Sequence, residues 1–132
     1  MDILVVSPRA DLWQNLRPQF EKHGAALRLA PSMDEALSDL TARRADLVVL
    51  DINADAPDLR HAVFRILSVS AMIHTAAVTT MSPETFHDAM EGLGMLKPLS
   101  KSPSEKDGKR LLSDLGTFIP LPEKNKKIYS DR

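Results

Sequence analysis

Three polar residues in this chain each close a short aliphatic run: Asp51 after Leu47-Val48-Val49-Leu50, Thr79 after the run that ends at Val78, and Lys97 after Met95-Leu96. If those runs are strands of one parallel sheet, their carboxyl ends meet along a single edge, where open α/β sheets hold their ligands. A carboxylate, a hydroxyl and an ammonium gathered there can surround one small anion. Each residue also has a plainer reading. Asp is favoured wherever a strand turns, Thr79 is a β-branched residue at a strand end, and Asp51 with Lys97 would serve as an ion pair joining two strands. His23, His61, His74 and His87 show no metal-ligand spacing with one another or with acids.

The elements that must position these residues follow from periodicity. Leu47 to Leu50 is uninterrupted and β-branched-rich, which suits a strand buried on both faces. Ile3-Leu4-Val5-Val6 is a second such run, Ile73 to Val78 a further one, and Met95-Leu96 is all that remains for a fifth. Ala26 to Ala30 alternates around Arg28 and reads as an edge strand.

Helical signals lie between the runs. Ser7-Pro8 and Ser82-Pro83 have the form of a cap followed by Pro in the first turn. Leu12, Leu16 and Phe20, with Trp13 beside them, mark one apolar face, on which Pro18 predicts a kink or distorted turn near Gln14 to Arg17. Ser32 and Glu35 have capping-box spacing. Leu59, Val63, Ile66 and Leu67 form another buried stripe, Phe86, Ala89, Met90 and Leu93 the next, and a last helix spans about Ser104 to Leu115. Strand and helix signals alternate five times, which predicts a doubly wound α/β domain: a five-stranded parallel sheet with helices on both faces over residues 1–116. Residues 117–132, proline-punctuated and then charged, are expected to form a partly mobile C-terminal tail.

Composition narrows the function classes. At 132 residues the chain is long enough for one self-supporting domain, and with no cysteine it has neither a disulfide framework nor thiolate metal sites. A net charge of -1, one Trp and one Tyr give no electrostatic or stacking basis for nucleic-acid binding. Met1-Asp2 leads straight into Ile3 without a basic and apolar leader, and no apolar run is long enough to span a bilayer, so a cytoplasmic location off the membrane is expected.

The ordered set Ile3 to Val6, Leu47 to Asp51, Val78-Thr79 and Leu96-Lys97-Pro98 resembles the receiver domain of bacterial two-component response regulators, over roughly residues 2–115. The resemblance implies a flavodoxin-like receiver fold and a signalling protein rather than an enzyme. In it Asp51 would accept a phosphoryl group from a histidine kinase or phosphotransfer protein, and Thr79 and Lys97 would bind phosphoryl oxygens. Mg²⁺ would be held by Asp51 and the Asn53 backbone carbonyl, and output would pass through contact with a downstream protein partner; pairing of the chain with itself is left open.

The chain also departs from the family. Ser7 and Pro8 stand where the family places two acidic Mg²⁺ ligands, so metal binding is expected to be weak. Gly94 stands at the position of an aromatic switch residue, and the segment from Thr79 to Lys97 is short. Two readings follow: a stand-alone receiver phosphorylated at Asp51, and a phosphorylation-independent pseudo-receiver that acts as a constitutive protein-binding module. A flavin or cobalamin domain of the same fold class is disfavoured, since the loop Ser7 to Asp11 has no glycine and no His adjoins Asp51.

Overall fold

The computed structural model describes residues 1–116, so the predicted tail at 117–132 lies outside the described residues. Four strands, β1 (Asp2–Val6), β2 (Ala26–Ala30), β3 (Leu47–Leu50) and β4 (His74–Ala77), form an all-parallel sheet in the order β2-β1-β3-β4. Five helices alternate with them: α1 (Ala10–Lys22), α2 (Met33–Ala42), α3 (Ala56–Val69), α4 (Pro83–Ala89) and α5 (Glu105–Gly116). As its alternation predicts, β2 lies at the edge.

The uninterrupted aliphatic runs have a direct cause. Successive strand residues point to opposite faces, and here each face meets its own helices. Leu4, Val6, Val48 and Leu50 pack with Ala36 and Leu40 of α2, Val63 and Ile66 of α3 and Phe86 of α4. Ile3, Val5, Leu47 and Val49 pack on the other face with Trp13, Leu16 and Phe20 of α1 and Leu111 and Leu115 of α5. With both faces covered, Ile3 to Val6 of β1 and Leu47 to Leu50 of β3 leave no room for a polar side chain between the strand ends.

Two expectations are corrected. Among the described residues the sheet has four strands and not five; the fifth segment bonds to β4 without forming a regular ladder, its one bridge being the parallel pair Val78 and Leu99. Pro98 supplies the reason. The Leu96 N–H donates to the Thr75 carbonyl (2.8 Å), and a regular ladder would next have residue 98 donate to Ala77. Pro98 has no N–H, so Leu99 donates to Ala77 instead (2.8 Å), and Thr79 then donates to Leu99 (2.9 Å). One residue bulges out and the segment continues to Leu99 before turning.

Ser7-Pro8 is not a helix cap. Helix α1 begins at Ala10 after Arg9, without a side-chain cap, whereas Ser82 does cap α4 by accepting the Thr85 N–H (3.2 Å). Helix α1 continues past Pro18, the residue at which a kink or distorted turn is expected. Pro18 and Gln14 are both exposed, and Pro18 has no N–H to donate to the Gln14 carbonyl.

Candidate functional site

Strand β3 delivers Asp51 to the carboxyl edge, and its backbone N–H continues the ladder by donating to the Val6 carbonyl at 2.8 Å. The side chain is only 3% exposed, yet it is surrounded by donors. The Arg9 guanidinium forks onto it, Nε to Oδ2 and Nη2 to Oδ1, both at 2.9 Å. Ser7 Oγ donates to Oδ2 at 2.6 Å, and Trp13 Nε1 donates to the same oxygen at 3.0 Å. Four hydrogen bonds thus converge on one carboxylate from residues in and just before the first turn of α1.

Local geometry explains the convergence. Ser7 is freed from capping, and its hydroxyl also accepts the Arg9 N–H (2.9 Å), which folds the short β1–α1 connection so that Arg9 turns back over the edge. Trp13 lies one helical turn beyond Arg9 on the same face, fully buried, with its indole N–H aimed at Asp51. Burial pushes the Asp51 carboxyl up; hydrogen bonds from Arg9, Ser7 and Trp13, together with the Arg9 charge, outweigh it and hold the group below the usual carboxylate range.

The other sequence-predicted site residues are distributed differently. Thr79 lies one strand over at the same edge, two residues past the Leu50–Ala77 pairing, and is nearly buried. Its hydroxyl accepts the Met81 N–H at 3.1 Å, a local turn contact. Asn53 is left-handed (φ 52°), which Asn tolerates better than most residues. Its side-chain oxygen accepts from Lys101 Nζ at 2.6 Å.

Lys97 makes no side-chain contact with Asp51. It sits before the Pro98 bulge, exposed, on the wall of a cavity of about 680 Å³ between α4 and α5, with Phe86, Met90, Leu96 and Arg110. The lysine brought to the edge is Lys101, because the segment runs on to Leu99. Gly94 has φ 67°, a backbone conformation that would strain an aromatic residue there.

A divalent metal does not fit this donor set. Among the described residues no three His, Cys, Asp or Glu side chains gather into a metal-binding group, and the one carboxylate at the edge is taken by a guanidinium and two further donors. Asp55 is occupied as the cap of α3, accepting the Asp58 N–H, and Asp11 is exposed on α1. Mg²⁺ prefers carboxylate-rich oxygen shells and gives up water reluctantly.

Arg9, Trp13 and Lys101 were not legible as site residues from sequence. Arg9 and Lys101 had a usable signal: each lies within three residues of the end of a sheet segment, by the same edge rule that singled out Asp51.

No protein-family model and no curated protein matches this chain. Solved structures do. A two-component response regulator from Clostridium difficile superposes with a TM-score of 0.75 at 18% identity, covering 92% of this chain and 99% of that one. A response regulator from Thermotoga maritima gives 0.75 at 16% identity, covering 86% and 95%. An orphan response regulator of H. pylori gives 0.73 at 16% identity, covering 87% and 96%. The chain therefore has the response-regulator receiver fold. At these identities the fold is what is shared.

Proposed function

We propose that this chain is a receiver-fold signalling protein that acts through protein–protein contact without phosphoryl transfer at Asp51, the pseudo-receiver of the two readings. One observation carries it: the Asp51 carboxylate is buried and saturated by Arg9, Ser7 and Trp13. Phosphoryl transfer depends on an aligned nucleophile and on neutralising charge around the transferred group. Here the nucleophilic oxygens are turned into hydrogen-bond acceptors, and the neutralising charge is spent on the carboxylate itself. The absence of a fitting metal shell points the same way.

The reading with Asp51 as phospho-acceptor from a histidine kinase has its own support. Thr79 and Lys101, a hydroxyl and an ammonium, flank the same edge. It would require Arg9 to swing away.

The test is a Mg²⁺ titration read by fluorescence of Trp13, the sole tryptophan, followed by intact mass after incubation with acetyl phosphate, for wild type and Asp51→Ala. No metal response and no adduct in folded wild type are expected. An Asp51-dependent phosphoryl adduct would restore the phospho-acceptor reading.

A further inference from the structure

The Arg9 guanidinium does more than pair with Asp51. While Nε and Nη2 hold the two carboxylate oxygens, Nη1 donates to the Lys101 backbone carbonyl at 3.0 Å. Three oxygens from two chain segments, Oδ1 and Oδ2 of Asp51 and the carbonyl of Lys101, thus face a single cation. Lys101 in turn reaches Asn53, so the connection leaving β1, the loop after β3 and the segment before α5 form one closed circuit. Carboxylate and carbonyl oxygens converging on a positive centre is the arrangement by which hard cations are bound. In this chain a planar guanidinium, with donors in a fixed fork, fills that place.

We propose that Arg9 is the resident cation of this receiver fold: its guanidinium substitutes for a metal ion at the carboxyl edge and straps the three loops into one arrangement. The inference deepens the reading above, since it supplies the device that replaces a phosphorylation-dependent switch. A metal ion exchanges with solvent. A tethered guanidinium does not, so the loops are held at all metal concentrations. The strap remains reachable from solvent, because the Arg9 side chain is 40% exposed while Asp51 beneath it is 3% exposed.

Removing the side chain therefore opens a cation-sized gap above a buried carboxylate, and an exogenous guanidinium can refill it. The experiment is a thermal melt of the full chain as wild type, Arg9→Ala, Arg9→Lys and the Arg9→Ala/Asp51→Ala double variant. Each is measured with and without methylguanidinium at concentrations far below denaturing, against NaCl of equal ionic strength. Arg9→Ala is expected to melt roughly 10 °C or more below wild type, as an orphaned buried charge should. Methylguanidinium should recover roughly 5 °C or more of that loss in Arg9→Ala, and nothing in wild type or the double variant. Arg9→Lys, which keeps the charge and loses the fork, should fall between.

If Arg9→Ala does not fold at all, recovery of its helical circular dichroism on adding methylguanidinium is the supporting result. An Arg9→Ala protein that gains nothing from methylguanidinium, folded or unfolded, overturns the proposal, as does one as stable as wild type. Those outcomes leave the phosphorylation-independent reading standing, whereas a phospho-adduct on wild-type Asp51 would overturn that reading and leave the cation result to stand alone.

Discussion

Trp13 shows how the site is held at the level of single atoms. Its ring is fully buried against the α1–α5 face of the sheet, and its one polar atom finds the Asp51 carboxylate at 3.0 Å. A buried indole needs such a partner, and the ionised acceptor makes the bond stronger than a neutral one. Trp13→Phe keeps the aromatic packing and deletes the donor. It should cost about 2 kcal/mol in urea unfolding, from the lost charge-assisted hydrogen bond and the smaller ring together. The discriminating comparison is Trp13→Phe in an Asp51→Asn background: a penalty that shrinks there places the effect in the hydrogen bond, and an undiminished one places it in packing alone.

At the scale of elements, two Ser-Pro pairs with the same sequence form do different work. Ser82 caps α4, a helix of only seven residues, whereas Ser7 ignores α1 and donates to Asp51. Ser82→Ala should therefore weaken α4 by about 1 kcal/mol, visible as faster amide exchange confined to that helix. Ser7→Ala should lower global stability and, within the start of α1, speed exchange at the Arg9 N–H that loses its acceptor rather than along the helix.

Sequence could not separate these two cases, because a cap and a site ligand use the same hydroxyl. The strands were readable, since aliphatic runs buried on two faces admit few alternatives, and so was the arrival of Asp51 at the edge. The lysine was misplaced for a local reason. Pro98 reads as the end of a strand when it is a bulge within the segment, and the chain resumes at Leu99 to bring Lys101 to the edge four residues later than Lys97. Arg9 lies close enough to the end of β1 to be a candidate by the edge rule, but the fold of the Ser7-Pro8 connection that turns its side chain back over the sheet is not written in the sequence.

For the whole molecule, acid is the condition under which this network is most exposed. Asp39 is held below its usual range chiefly by the hydrogen bond from Arg28, against burial and with help from Arg43. Asp51 is held down against its burial by Arg9, Ser7 and Trp13. A carboxylate whose folded value is depressed binds its proton more readily in the unfolded chain, so stability rises with pH across that interval. The contributions of Asp39 and Asp51 are therefore complete above the unfolded value of about 3.9 and are lost as pH falls through the lower folded values.

The urea midpoint of wild type should be flat from neutral pH to about pH 5 and fall steeply below about pH 4. Asp51→Asn should begin from a lower plateau, because Arg9 is left without its anion, and should fall less steeply through the same interval. Asp39 is the more exposed of the two, at 18% against 3%, so added salt should flatten the Asp39 share and spare that of Asp51. An acid limb in Asp51→Asn with the same slope as wild type would mean that the Arg9–Asp51 network does not hold the folded state against acid. The resistance would then have to reside in Asp39 and the surface pairs, and salt alone should abolish it.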